Sequence, residues 1–393
     1  MMRKIAVLFV LVFCISPLYG QSVLSDEACI SILTSTPSEE AVFTVYGHTA
    51  IRVKDTGQDI DVIFNYGIFD FSRSDFVYRF AKGETDYKLA AYDFKYYLAE
   101  YQMRGSGVTE QALNLRQEEK QRIWDALLVN LEPENSVYRY NFFFDNCATR
   151  PVALVEKLVD GRVAYHHTTQ PQTFRQLINH CMRNKPWLLF GCQLALGSPT
   201  DRIATPHEEL FLPLYLEAAF AQATIVSPGE PERPLVSHTR RLAEAVPEEV
   251  APVYATPLVC SLALLASLLA ITFMGWRKRR YSRLVDVALF FVAGAGGAVL
   301  FFLAFVSVHP ATWPNWSLVW LHPFHLAGVV FFAVKKCGKA AYCYHFINFA
   351  TLTLALLGWL AIPQAFHIAF IPLVACLWLR SGYGIYRYKS GIE

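Results

Sequence analysis

Five long apolar stretches in the last third of the chain constrain its fold more than any other feature. A helix needs about 20 apolar residues to cross the ~30 Å hydrocarbon core of a bilayer. The stretches explain why 54% of all residues are hydrophobic, which is high for a soluble domain. We therefore predict that residues 256–393 form an α-helical membrane domain of about five spans. The predicted spans are residues 257–276, 284–308, 316–334, 341–362 and the shorter 364–380.

Positive charge is confined to alternate loops between these stretches. The loops at 276–283 and 335–339 and the tail after Arg380 are basic, whereas residues 309–316 contain no Lys or Arg. Basic loops face the cytoplasm, so five spans place the C-terminus inside and residues 21–255 outside. The same loops account for the formal net charge of +2, which gives no indication of nucleic acid binding.

The first residues have the three parts of a secretory signal peptide. A basic start, MMRK, is followed by an apolar core and by the small-residue exit SPLYGQ. We predict that residues 1–20 are cleaved near Gly20; an uncleaved N-terminal anchor is the alternative. The predicted location is the inner (cytoplasmic) membrane, multi-pass, with residues 21–255 facing the periplasm.

The predicted periplasmic domain, residues 21–225, has an α+β pattern, and the Pro- and Glu-rich residues 226–255 are predicted to link it to the first span. Short runs rich in Val, Ile and aromatic residues predict strands, and a longer run of helix-forming residues predicts a helix. The predicted elements are strands at 41–55 and 60–71 around a turn at Gly57, a helix at 109–135 with Thr109 as its cap, a strand at 138–144 and a helix that begins at Cys147.

Cys147 lies in NFFFDNCATRP, directly before the apolar spacing of that last helix. The unpaired N–H groups and the positive dipole end of a helix start lower the pKa of a thiol. The sequence leaves three roles open: a nucleophile, a structural thiol or half of a disulfide. In an oxidising periplasm Cys181 and Cys192 are close enough in sequence for a local bridge, and a pair between Cys29 and Cys147 is the arrangement that excludes a nucleophile.

His48, in the first predicted strand, is the candidate base for this thiol. Counting outward from the turn places Asn65 of the second strand about opposite His48, and Asp70 is the alternative third residue. A cysteine nucleophile needs a base, and the base needs a polar partner that fixes its tautomer. We therefore predict a catalytic site formed by Cys147, His48 and Asn65.

Other residues near these motifs are candidates for binding substrate. Arg52, Arg150 and Arg73 are suited to lipid phosphate, although each residue is equally suited to a structural ion pair. The remaining cysteines lack CxxC spacing, so no metal site is predicted. The further substrate-binding candidates are Tyr46, Tyr66, Asp145 and Asn146.

Several distinctive blocks carry a resemblance to a known family. They are YGHTAIRVKD, VIFNYGIFDF, YRFAKGETDY, GVTEQALNL, YRYNFFFDNCATRP and FLPLYL. The chain resembles the Bacteroides-type lipoprotein N-acyltransferase (Lnb) family across most of residues 40–220. The order strand-His, strand-polar, helix-Cys is similar to that of the circularly permuted papain-like group.

The resemblance implies transfer of a fatty acyl chain from a phospholipid donor, through a cysteine thioester, to the α-amino group of a diacylated lipoprotein's N-terminal cysteine. The family's catalytic cysteine and histidine carry over to Cys147 and His48, whereas the third residue rests on geometry. No cofactor is implied, and the expected partners are the two substrates and the bilayer.

Two other functions remain open at this stage. One is a cell-wall amidase or peptidase that uses the same cysteine and histidine in a polar, peptide-sized cleft. The other is a non-catalytic membrane protein of envelope assembly, in which Cys147 is half of a disulfide.

Overall fold

The computed structural model describes most of the chain, in five ranges. The predicted signal peptide and two candidate site residues, Asp70 and Arg73, lie outside those ranges. The described residues are 23–38, 42–69, 74–166, 170–247 and 253–392.

The N-terminal domain is built on a seven-stranded antiparallel sheet with strand order β10-β5-β1-β2-β3-β4-β6, and a small second sheet holds β7, β8 and β9. Strand β1 is buried on both faces, and its side chains are apolar or small and polar. The strands are β1 (Cys29–Ser35), β2 (His48–Asp55), β3 (Ile60–Ile68), β4 (Asp86–Asp93), β5 (Val108–Leu113), β6 (Val137–Arg139), β7 (Arg162–Ala164), β8 (Thr224–Val226), β9 (Arg233–Pro234) and β10 (Val236–Ala243).

Helices cover both faces of the large sheet. On one face, Trp124 of α3 and Phe220 of α8 pack with Ile51 of β2 in the main core. On the other face, Tyr97 and Tyr101 of α2 pack on a second apolar cluster. The helices of this domain are α1 (Phe76–Lys82), α2 (Phe94–Met103), α3 (Gln117–Leu131), α4 (Pro133–Ser136), α5 (Thr149–Leu158), α6 (Phe174–Cys181), α7 (Pro186–Ala195) and α8 (Pro213–Gln222).

The helix predicted from Thr109 begins later than expected. Residues Val108–Leu113 form β5, which pairs with β1 and β10, and α3 begins only at Gln117. Glu, Gln, Ala and Leu favour helices on their own, but here the pairing with two neighbouring strands overrides that preference.

The predicted linker, residues 226–255, also contributes to the N-terminal domain. Strand β10 pairs with β5 and forms one edge of the large sheet, and β9 pairs with β8. Residues 233–234 and 236–243 of this segment are therefore part of the folded domain, and the polar side chains of β10 occupy exposed positions on an edge strand. The composition of an exposed edge strand resembles that of a linker.

The C-terminal domain is helical. Among the described residues, three helices are long and apolar enough to cross a membrane: Pro257–Arg277, Arg283–Phe305 and Lys335–Leu357. The third predicted span is interrupted around Pro323, which lacks a backbone N–H, and the fifth begins later and extends into a basic end. The α-helices are α9 (Pro257–Arg277), α10 (Arg283–Phe305), α11 (His325–Ala333), α12 (Gly338–Leu357) and α13 (Phe370–Lys389).

The two domains are in direct contact. Phe190 of α7 packs on Phe370 of α13 with ring centroids 5.2 Å apart. After α7, the N–H of Gly197 donates to the carbonyl of Ala311 at 2.7 Å, in the loop that follows α10. At a second point, the N–H of Val308 donates to Lys82 O at 2.9 Å. The N-terminal domain is thus docked on the helical domain.

Candidate active site

Cys147 lies in the loop between β6 and α5, two residues before the first residue of the helix. Its side chain is buried, and its Sγ accepts hydrogen bonds from the backbone N–H of Thr49 and from its own N–H. Thr49 follows His48 in β2, so the sulfur lies against the strand end that carries the candidate base.

Asn146 fixes this loop. Its Oδ1 accepts from the N–H groups of Ala148 and Thr149 at 2.8 and 2.9 Å, which caps α5. Its Nδ2 donates to the carbonyls of Phe142 and Phe211 at 2.7 and 2.9 Å. All four hydrogen-bonding positions of this amide are therefore used within the chain, and Asn146 positions the cysteine rather than contacting a substrate.

His48 is the first residue of β2, and a chain of hydrogen bonds orients its ring. Nε2 lies 2.6 Å from Asn65 Oδ1, and Asn65 Nδ2 donates to Tyr92 Oη at 2.8 Å. Because the amide oxygen faces the ring, Nε2 carries the proton and Nδ1 has the free lone pair. The sequence did not indicate Tyr92, whose strand β4 is brought beside β3 only by the tertiary fold.

Gly67 lies between the cysteine and the histidine. Its φ is +97°, and β3 has an irregular register with β4 at this point. A Cβ added at Gly67 would lie 3.6 Å from Cys147 Cβ and 3.8 Å from His48 Cε1. The structure thus brings Cys147, His48 and Asn65 together, with a glycine where a side chain would fill the space between the first two.

Both reactive groups rest in their neutral forms. Burial raises the pKa of the Cys147 thiol to about 11, and hydrogen bonds from the N–H groups of Thr49 and Cys147 only partly oppose that shift. Burial also lowers the pKa of His48 to about 4, against the opposing effect of Asn65. The expectation of a lowered thiol pKa is therefore wrong for this state, because loss of water outweighs the helix start.

Tyrosines surround the sulfur. Burial, and next the neighbouring Cys147, raises the pKa of Tyr87, Tyr138 and Tyr140, so these phenols stay protonated. The hydroxyl of Tyr138 is buried and has no hydrogen-bond partner among the described residues. Tyr66 differs, because its hydroxyl accepts from Asn130 Nδ2 at 3.0 Å.

A row of aromatic rings connects this tyrosine cluster with the loop after α10. The row begins beside Cys147 and ends at a residue that follows the second apolar helix. Its ring-centroid distances are Tyr140–Tyr87 4.1 Å, Tyr87–Phe69 4.7 Å, Phe69–Phe76 5.6 Å, Phe76–Phe80 6.0 Å and Phe80–His309 6.4 Å.

The candidate phosphate-binding arginines lie in different surroundings. Arg52 is 4% exposed, donates to Asp61 at 2.7 Å and to Glu110 at 3.0 Å, and does not fit the expected role of gripping lipid phosphate. Arg150 is only partly buried; it pairs with Asp145 at 2.6 Å and lies 3.5 Å above the ring of Tyr138. Arg150 and Asp145 are therefore next to the site, whereas Arg52 is part of a buried ion-pair network.

Tyr46, the last residue before the positive-φ Gly47, packs away from the sulfur. Its ring lies 4.6 Å from that of Phe142, and its hydroxyl lies 3.8 Å from Met182 Sδ, in a separate apolar cluster. This places Tyr46 as a residue that supports the turn into β2.

Cys29, Cys147, Cys181 and Cys192, for which disulfides were considered, are free thiols. Cys181 and Cys192 form no bridge. Cys29 pairs across the sheet with Lys54, whereas His48 pairs with Ser35 at the other end of β1. Seven residues of strand span about 20 Å, so Cys29 is too far from Cys147 for a disulfide.

Two family models match the chain. One, described as the Lnb N-terminal periplasmic domain, matches residues 23–180, and the other, 5TMH_Lnb, described as the Lnb transmembrane domain, matches residues 248–391. Together they cover both the folded domain with the cysteine and the helical domain below it. No curated protein and no solved structure matches the chain.

Proposed function

Because the chain belongs to the Lnb family through both of its domains, we propose that it is a lipoprotein N-acyltransferase. Its N-terminal domain is periplasmic and its helices anchor it in a membrane, which we assign as the inner membrane. The proposed donor is a phospholipid, and the proposed acceptor is the α-amino group of a lipoprotein's diacylglyceryl-cysteine. Both substrates are lipid-anchored, so a catalytic domain docked on membrane helices can reach them.

One observation carries the proposed mechanism. The sulfur of Cys147 accepts the N–H of Thr49, next to a histidine whose Nε2 is held by Asn65. This leaves Nδ1 of His48 as the base. In the first half-reaction, Nδ1 takes the thiol proton while Sγ attacks the ester carbonyl of the donor. The C–O bond breaks and the alkoxide takes the proton from His48. The lysophospholipid then departs, and the acyl group remains on Cys147 as a thioester.

In the second half-reaction the acceptor amine attacks the thioester carbonyl. His48 takes a proton from the amine, the C–S bond breaks, and the proton returns to the thiolate, so that the starting site is regenerated. His48 carries one proton in each half-reaction, from Cys147 to the departing alkoxide in the first and from the amine to Cys147 in the second, and no cofactor is needed for the balance.

Backbone donors near the sulfur are suited to the negative charge that develops on the carbonyl oxygen. The N–H groups of Thr49 and Cys147 already point at Sγ, and the Tyr138 hydroxyl is a buried donor without a partner among the described residues. Donors fixed in a water-poor site are the largest single contribution in many acyl-transfer enzymes.

The row of aromatic rings from Tyr140 to Phe80 is the proposed path of the acyl chain. Phe80 is 52% exposed and Val77, on the same short helix, is 76% exposed. Helix α1 also meets the membrane domain, where Tyr78 lies 6.1 Å from Phe302 of α10. An apolar chain that leaves the bilayer beside α10 therefore meets an apolar surface along its way to the sulfur.

The test is to trap the thioester on the full-length protein in vesicles that contain a phospholipid with a labelled acyl chain. Mass spectrometry of the intact protein should show one hydroxylamine-sensitive acyl group on Cys147, and a synthetic diacylated lipopeptide should remove it as triacylated product. Cys147→Ala should carry no label. Cys29→Ser is the matched control, since it removes a free thiol at the far end of the sheet, and it should label normally.

Two outcomes would contradict the proposal. If the Cys147→Ala variant still carries the acyl label, the acyl group is attached to another residue. Release of amines from cell-wall peptides, without any transfer to the lipopeptide, would show that the same cysteine and histidine serve an amidase.

A further inference from the structure

A cavity lies in the membrane domain, far along the chain from the cysteine. It is about 420 Å³ and opens between α9, α13 and the loop that joins α9 to α10. Its size is that of a site for a small molecule or a lipid headgroup. The residues that line it are Ile271, Met274, Gly275, Lys278, Arg280, Tyr281, Ser282, Arg380 and Tyr383.

The cavity is at the cytoplasmic end of the helices. Helix α9 begins beside the periplasmic domain, where Trp187 Nε1 donates to Ala255 O at 2.8 Å. Its 21 residues extend about 30 Å to Arg277, which is the thickness of the hydrocarbon core. The cavity follows directly after Arg277 and therefore lies at the level of the cytoplasmic headgroups.

Three cations line the cavity and only one of them is neutralised. Arg380 is 1% exposed and pairs with the equally buried Asp286 at 2.5 Å. Lys278 and Arg280 are exposed, and neither forms an ion pair with a described residue of the chain. The site therefore has an excess of positive charge within a short distance.

Arg380 also has an unused donor. Its Nε donates to Asp286 and its Nη1 donates to Thr272 Oγ1 at 2.9 Å, whereas Nη2 is buried and has no partner among the described residues. A buried N–H without an acceptor is costly, and a phosphate oxygen is the acceptor that a guanidinium matches best.

The residues on the two sides of the cavity indicate that its ligand is a lipid rather than a free anion. Ile271 and Met274 form the side of the cavity toward the bilayer centre, and Met274 is 50% exposed to the region of acyl chains. The cations Lys278 and Arg280 form the side toward the cytoplasm. We propose that this cavity binds the phosphate of an anionic phospholipid from the cytoplasmic leaflet, with Arg380, Lys278 and Arg280 as its donors.

The test compares two double variants of the full-length protein that remove the same charge from the same loop. Lys278→Gln with Arg280→Gln changes two residues that line the cavity. Arg277→Gln with Arg279→Gln changes two exposed neighbours that do not line it. Each protein is purified in neutral detergent, stripped of lipid, and examined by native mass spectrometry with added phosphatidylglycerol or with phosphatidylcholine of the same chains.

The wild type and the Arg277/Arg279 variant should retain one phosphatidylglycerol in preference to phosphatidylcholine. The Lys278/Arg280 variant should bind it roughly tenfold more weakly and should lose the rise in melting temperature that phosphatidylglycerol gives the wild type. Equal loss in both variants would show that only general surface charge matters. Displacement of the lipid by equimolar inorganic phosphate would show a free-phosphate site. Either result overturns the proposal.

Discussion

Two positions on strand β2, Arg52 in its middle and His48 at its start, show two opposite ways of burying polar groups. At Arg52 the charges are fully matched: Asp61 and Glu110 accept from its guanidinium, and Arg240 adds a further bond to Glu110 at 2.5 Å. Four residues earlier, at His48, burial instead keeps the groups uncharged. Matched charges stabilise one conformation of the fold. Two neutral groups that can exchange a proton can instead change their protonation states.

This difference separates stability from reactivity along one strand. Variants at the His48 end should reduce catalysis in a protein that stays folded. Variants at Arg52 should destabilise the fold and leave the activity of each folded molecule unchanged. The experiments below test that separation.

The largest effect is expected for Cys147→Ser. A hydroxyl is a far weaker nucleophile than a thiol when burial disfavours its anion, so the transfer rate should fall by roughly 10³-fold or more. The near-equal size of the side chain should keep the melting temperature within ~2 °C. Transfer to a diacylated lipopeptide is measured at equal concentrations of folded protein. A variant with normal activity would remove Cys147 from the mechanism.

His48→Gln should reduce the rate by roughly 10²–10⁴-fold, the usual contribution of a positioned base. Glutamine can keep a hydrogen bond to Asn65 but cannot accept the thiol proton. The pre-steady-state rate of thioester formation is the direct measurement. If that rate is unchanged and only release to the acceptor slows, another group deprotonates Cys147.

Arg52→Gln should lower the free energy of unfolding by roughly 3–5 kcal/mol, because it leaves buried Glu110 short of a partner. The activity of the folded fraction should stay within about twofold of the wild type. Arg240→Gln is the matched control, since this arginine bonds to the same carboxylate from an exposed position. Arg240→Gln should lower the free energy of unfolding by less than about 1 kcal/mol. A large loss of activity in the folded Arg52→Gln variant would show that Arg52 has a role in substrate binding or catalysis.

The pH dependence of stability should identify His48. Its pKa is about 4 in the folded protein and about 6.5 when unfolded. Between these values the unfolded chain binds the extra proton, so stability falls as pH drops from 6.5 to 4, by up to roughly 3 kcal/mol. Thermal unfolding of His48→Gln across this range should lack that part of the loss. Parallel curves for the two proteins would show that the ring is not buried in its neutral form.

A smaller effect than that of His48→Gln is expected for Asn65→Ala, about tenfold in rate, which is about 1.4 kcal/mol. A ring without its partner still samples the productive orientation, so the loss should be smaller than that of His48→Gln. Asn65→Asp should retain more activity, because a carboxylate also accepts from Nε2. Asp70→Ala should reduce the transfer rate less than Asn65→Ala does. If Asp70→Ala is inactive and Asn65→Ala is normal, the orienting role belongs to Asp70.

The elements that the sequence predicted well are those set by local pattern. The family, the first two apolar helices and the hairpin of β2 and β3 follow from motifs, from apolar length and from a short turn. Counting from that turn placed Asn65 about opposite His48. The pairing of Ile51 with Phe64 shows a register shifted by two residues, but the two side chains still lie 2.6 Å apart. The permuted papain-like relationship and the catalytic roles stay predictions.

The rest depended on contacts that no local pattern contains. Tyr92 and Gly67 reach the site through the irregular pairing of β3 with β4. The strand at Thr109 forms because two other strands flank it. The raised pKa of Cys147 reflects burial by tyrosines from other elements, whereas the sequence showed only the helix start.

The docking of the periplasmic domain through Gly197 has a consequence for how the substrates approach. A Cβ at Gly197 would collide with the carbonyl oxygen of Pro314, so the two backbones touch where no other residue fits. Together with the bond between Val308 and Lys82, this contact fixes the position of the sulfur relative to the helical domain. Under the proposed mechanism, the donor ester and the acceptor amine would therefore both react at one constant distance from the helices.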